Sequence, residues 1–99
     1  MMTKKEDSMK CYIVCGGATG RAVVIGYSAT EPVVGETARL ERARMLLYWP
    51  SECNGLFGFA ADGPKPGTRL TPTVAVTECT CREWLAVSDE AAALVSSWG

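Results

Sequence analysis

The chain reads as a small, single-domain α+β protein. Two β-rich runs flank a glycine loop near the N-terminus, a second β-rich stretch runs from Thr68 to Val87, and a capped, striped helix follows from Ser88. The length of 99 residues suits one domain, because two would each be too small for a good core. A chain this long buries roughly two-thirds of the surface that its unfolded form exposes. We take 9–99 as the domain and Met1 to Ser8, which carry no pattern, as a flexible lead.

Lys10 to Cys15 predicts a strand through Tyr12, Ile13 and Val14. Gly16-Gly17-Ala18-Thr19-Gly20 predicts the turn, and Arg21 to Tyr27 the returning strand of a hairpin. A phosphate-cradling loop would need a Lys-Ser/Thr and a helix behind the glycines, and neither follows. Ser28 to Gly35 contains Pro32 and reads as a connection with a short extended piece at Val33-Val34. Glu36 to Trp49 admits two readings. Its good helix formers, with Leu40, Ala43 and Leu47 on one face, fit a helix. Two short strands joined by a bulge near Arg42 also fit, with Ala38 and Leu40 on one face and Met45, Leu47 and Trp49 sharing a face beyond the bulge. Pro50 ends either element.

Ser51 to Asp62 predicts a short helix capped by Ser51, with Leu56, Phe59 and Ala60 inward and Gly55 and Gly58 weakening it. Asp62 to Gly67 is a loop. In the following β stretch Val74, Val76 and Glu78 share one face and Ala75, Thr77 and Cys79 the other, with Pro72 at a start or edge. Ser88 caps the last helix, whose stripe is Ala91, Leu94, Val95 and Trp98.

Composition narrows the function. The net charge is −1 and no block of like charge exceeds two residues, so binding to double-stranded nucleic acid is not expected. No apolar run approaches membrane-span length, and the charged N-terminus is not a secretory signal, so a cytoplasmic location without membrane contact is expected. Five cysteines (Cys11, Cys15, Cys53, Cys79 and Cys81) make an incomplete disulfide set. Their spacings are not those of zinc sites and the chain has no histidine, so they read as buried thiols with no metal. The missing histidine also removes the commonest general base; no enzyme and no cofactor are expected.

The densest functional stretch places Arg39, Arg42 and Arg44 before Tyr48-Trp49. Guanidinium groups fork phosphates and planar rings stack on bases, so this cluster can grip a nucleotide. Solvated arginines with a buried Tyr48-Trp49 explain it about equally well. Arg82-Glu83-Trp84 fits better as a strand with a buried indole.

From Glu36 onward, over about two-thirds of the chain, the sequence resembles a family of small uncharacterised proteins encoded by bacteriophages and prophages. The resemblance is carried by Gly35, Ala43-Arg44-Met45-Leu46-Leu47-Tyr48-Trp49, the Ser51–Ala61 segment, Thr77-Glu78 and Ser88 to Trp98. The N-terminal part and the cysteines stand outside it. It implies strands rather than helix over Glu36–Trp49, and a small antiparallel SH3-like or half-open β barrel with one short internal helix and a C-terminal helix. By analogy with small phage accessory proteins, it implies an anti-defence sponge. Such a homo-oligomer would sequester a cyclic or ADP-ribose-type nucleotide through Arg39, Arg42, Arg44, Tyr48 and Trp49. A protein–protein interaction module, either a virion or assembly component or a direct inhibitor of a host protein, is the alternative.

Overall fold

A computed structural model describes residues 9–98; the expected lead at 1–8 lies outside the described residues. The elements in order are β1 (Lys10–Gly16), β2 (Ala22–Ser28), β3 (Thr37–Tyr48), a 3-10 turn (Ser51–Cys53), α1 (Gly55–Asp62), β4 (Arg69–Leu70), β5 (Val74–Ala86) and α2 (Asp89–Ser97). Antiparallel pairing of β1 with β2, β2 with β3, β3 with β5 and β5 with β1 closes a four-stranded barrel; β4 adds to β3 outside the ring. Closure leaves the ring without an edge, so the short β4 is the one added strand.

The glycine hairpin forms, one residue later than the sequence implied. Gly16 belongs to β1 and pairs with Ala22, and the N–H of Gly17 donates to the Thr80 carbonyl at 3.0 Å, fastening the loop to β5.

Glu36–Trp49 is strand, with its bulge at Arg42. Ile25 pairs with Arg44 and Tyr27 with Glu41, so Gly26 alone faces Arg42 and Ala43. Arg42 takes the left-handed conformation with φ 50°. The extra residue turns both Leu40 and Ala43 into the barrel, three positions apart, where a regular strand would put them on opposite faces. Gly26 makes that seam tight: a Cβ there would lie 2.8 Å from the Leu40 Cβ. A second irregularity in β5 pairs Cys15 with Glu83 and Gly16 with Cys81, leaving Arg82 over and bringing Cys81 and Trp84 to one side. A four-stranded ring needs such sharp local bends.

The strands bury both faces. Tyr12, Val14, Val24, Leu40, Ala43, Cys79 and Cys81 fill the barrel, and Trp84 meets Tyr12 edge-on at 5.6 Å. Cys11, Ile13, Ile25 and Leu46 point outward against Phe59, Ala91 and Val95 of the helices. This two-sided burial is why Cys11 to Val14 is an unbroken apolar run. All five cysteines are free: Cys11, Cys53, Cys79 and Cys81 are buried and Cys15 half-buried.

Four local expectations are corrected. Ser51 does not cap a helix; it opens the 3-10 turn, and α1 begins after Asn54, whose left-handed φ of 63° bends the chain. Gly58 is required rather than merely tolerated, because a Cβ there would run into the Cys53 carbonyl. Val33-Val34 is not extended: the Glu36 N–H closes a turn onto the Val33 carbonyl at 3.0 Å. On α2 the inward stripe is Ala91, Ala92 and Val95, with Trp98 half-buried and Leu94 41% exposed. Ser88 does cap α2, accepting from the Ala91 N–H at 3.0 Å, and it also donates to the Ala61 carbonyl at 2.7 Å, joining the helices. No helix among the described residues is long and apolar enough to cross a membrane.

Candidate anion-binding site

The bulge that closes the barrel also builds a pocket. A cavity of about 220 Å³ lies between β2, β3 and the end of α2. Cys11, Ile25 and Val95 form its buried floor, and Tyr27, Arg42, Thr73 and Ser96 its more exposed rim. Arg44 forms a buried wall.

Strand alternation places Tyr27 on the same side of β2 as Ile25, and the left-handed turn at Arg42 carries its side chain over that ring. The guanidinium carbon of Arg42 lies 4.0 Å from the ring centroid, a cation–π pair at the cavity mouth. The ring holds the charged end in place while leaving its N–H groups exposed for a ligand.

Arg44 is only 8% exposed. Its Nε donates to the Thr71 carbonyl at 2.8 Å, and Nη1 donates to the carbonyls of Val95 at 2.5 Å and Trp98 at 2.9 Å. Two of these acceptors end α2, so the cation sits where the helix dipole favours it; it gives the Trp98 carbonyl a donor and adds a second to the Val95 carbonyl, which also accepts the Trp98 N–H at 3.2 Å. These bonds use three of its five N–H groups and leave its charge unpaired. Among the described residues the one ion pair joins Arg39 and Glu41, and no carboxylate lines this cavity. A buried cation without a counter-ion makes the cavity attractive to an anion.

Burial pushes the Cys11 thiol on the cavity floor up to about 12, against the opposing pull of the Arg42 guanidinium and the Tyr27 side chain. The neutral thiol is an apolar wall, not a nucleophile. Two guanidinium groups with the hydroxyls of Tyr27, Thr73 and Ser96 can hold a phosphate or carboxylate.

Of the five residues expected from sequence, Arg42 and Arg44 come together here. Arg39 does not join them: its exposed side chain pairs with Glu41 at 3.0 Å, and it lines a separate cavity with Ser28, Glu31 and Glu36. Tyr48 is 53% exposed and pairs with Arg69 of β4, and Trp49 packs half-buried on the helix-side core; neither lines the cavity. Sequence reasoning missed Tyr27, Thr73 and Ser96. The predicted bulge at Arg42, set opposite the end of β2, was a signal for Tyr27; Thr73 and Ser96 arrive only through the tertiary fold.

Residues 9–95 match the family described as Domain of unknown function (DUF6948), and the chain belongs to that family. No curated protein and no solved structure matches it.

Proposed function

We propose that this chain is a non-enzymatic phage or prophage accessory protein. It sequesters a phosphate-bearing, nucleotide-type signal and works as a homo-oligomer in the cytoplasm of the host. The observation that carries the ligand reading is Arg44, a buried guanidinium without a carboxylate partner among the described residues, walling a cavity whose mouth holds the exposed Arg42. Arg42 supplies the accessible charge, Arg44 the fixed one, and the Tyr27, Thr73 and Ser96 hydroxyls orient the anion. Tyr27, rather than Tyr48 and Trp49, supplies the aromatic surface nearest the charge. The phage origin and anti-defence role rest on the sequence resemblance. The test is mass spectrometry of small molecules released by denaturing protein purified from a host with an activated nucleotide-signalling defence. A stoichiometric phosphorylated compound supports the reading; bare protein overturns it.

A second reading, a protein–protein module, has its own observation. Of the nine large apolar side chains exposed among the described residues, Met45, Leu47, Tyr48, Val74 and Val76 lie on β3 and β5, a concentration that fits a subunit or partner contact. Light scattering of the purified protein separates the forms: a monomer at high concentration speaks against self-association and favours a foreign partner.

A further inference from the structure

The ring itself has no edge, but β5 runs past it. β1 ends at Gly16, opposite Cys81, while β5 reaches back to Val74 with β3 as its one strand neighbour there among the described residues. That end of β5 is half of a two-stranded ribbon. Both of its faces are open to solvent: Val74 and Val76 are 49% and 42% exposed on the outer face, and Ala75 between them is exposed on the other.

Strand alternation fixes which backbone groups lie on the open side. Cys81 bonds toward β3, donating to the Glu36 carbonyl at 2.9 Å and accepting from the Gly35 N–H at 2.8 Å; the Thr80 carbonyl faces the other way, toward Gly17. Antiparallel alternation then turns the N–H and C=O of Val74, Val76 and Glu78 away from β3. No strand or loop backbone among the described residues meets them. Proteins blunt such an edge with lysine, proline or inward charge. Here Thr73-Val74-Ala75-Val76-Thr77 carries no charge, and Pro72 and Glu78 only bound it. Uncharged, β-branched residues on an unpaired strand are a template for another strand.

We infer that this edge is a subunit contact: β5 of one copy pairs antiparallel with β5 of a second about a two-fold axis at Val76, joining two ribbons into one four-stranded sheet. This contact rests on the homo-oligomer reading above and gives it a surface. A second copy is the occupant because the edge complements itself. Val76 faces its own counterpart, and Val74 faces Glu78 of the other copy. The valines of both copies meet on the outer face, and the two Glu78 carboxylates stay apart, each opposite Arg39 on its own β3. About six backbone hydrogen bonds join the copies, two from each pair of facing residues. A register centred on Glu78 would face two carboxylates, and one centred on Val74 would set Pro72, which has no N–H, opposite Val76.

The test is the solution mass of the full chain by sedimentation equilibrium, wild type against Val76→Lys and Leu47→Lys. Both positions are exposed, so neither change touches the core. The wild type should have twice the mass of one chain, or a higher even multiple. Val76→Lys sets two ammonium groups together at the axis and should halve that mass. Leu47→Lys, on β3 beyond the ribbon, should leave it unchanged. Should Val76→Lys not fold, amide exchange of the wild type makes the same test: Val76 and Glu78 should exchange about tenfold more slowly in concentrated than in dilute protein. An odd multiple, a mass that Val76→Lys leaves unchanged or that Leu47→Lys lowers as far, or exchange at those two amides that ignores concentration in an oligomer overturns the edge contact and leaves self-association standing. A wild type that stays monomeric overturns the homo-oligomer reading as well and leaves the anion site untouched.

Discussion

The guanidinium carbon of Arg42 sits 4.0 Å from the centroid of the Tyr27 ring, across the step where β2 and β3 fall out of register. The residue that closes the barrel is thus also the residue that offers a charge at the cavity mouth. Its left-handed backbone is costly for any side chain with a Cβ, by about 1 kcal/mol or more.

That cost predicts an unusual ordering of stabilities. Arg42→Gly relieves the backbone while losing the cation–π contact, two effects of about 1 kcal/mol each and of opposite sign. Arg42→Ala loses the contact and keeps the strain. Urea denaturation should place Arg42→Gly within about 1 kcal/mol of wild type and Arg42→Ala about 1 kcal/mol below Arg42→Gly. The reverse order would show that the bulge does not hold Arg42 in a left-handed turn.

Arg44 ties β3 to the end of α2. Arg44→Leu removes a buried cation and takes its hydrogen bonds from the carbonyls of Thr71, Val95 and Trp98, of which Val95 keeps the Trp98 N–H. We expect a loss of about 3 kcal/mol, with faster amide exchange concentrated at the end of α2. Arg44→Lys should recover little, because one ammonium cannot reproduce the fork that reaches Thr71, Val95 and Trp98 together.

How far the sequence was legible follows from where each residue finds its partners. The Ser88 cap and the glycine hairpin are local, and both form as the sequence predicts, the hairpin with its turn one residue later. Glu36–Trp49 carried helix and strand patterns at once. Good helix formers favoured the wrong element, and closure of the barrel between β2 and β5 overrode them. The bulge at Arg42 was nonetheless visible in the strand reading, as the point where the apolar positions change from Ala38 and Leu40 to Met45, Leu47 and Trp49. Arg44 was legible as a candidate but not as a clamp: its acceptors lie 27, 51 and 54 residues away. Tyr48-Trp49 looked like a stacking surface only because they adjoin the arginines in sequence. Past the bulge, β3 carries them away to β4 and the helix-side core.

Gly26 should tolerate no side chain. An added methyl meets the Leu40 Cβ at 2.8 Å and the Ala43 Cβ at 3.2 Å inside the seam. Gly26→Ala should cost about 1–3 kcal/mol, measured as a shift of the denaturation midpoint. An unchanged midpoint would mean that β2 and β3 do not close tightly there.

Alkaline pH should unfold the protein early. The Cys11 thiol is pushed from its ordinary 9.0 up to about 12 by burial. Burial likewise raises Cys15, Cys79, Cys81 and Tyr12. The folded state holds these protons where the unfolded chain releases them. Their contribution is thus intact below pH 9 and is lost as pH rises; for Cys11 the loss runs from pH 9 to about 12 with a slope of up to about 1.4 kcal/mol per pH unit. Cys11→Val should make that slope shallower without abolishing it. At pH 8 a thiol reagent should reach Cys15 alone in the folded protein and all five cysteines after unfolding.

The central claim is that Arg42 and Arg44 form one anion site. The most direct measurement is the unfolding temperature of wild type and Arg42→Gly as pyrophosphate is raised at constant ionic strength. A ligand that binds only the folded state raises stability by about 2.7 kcal/mol at a hundred times its dissociation constant. The wild type should rise steadily with pyrophosphate while Arg42→Gly stays flat. An equal rise in both, or none in the wild type, would contradict the site.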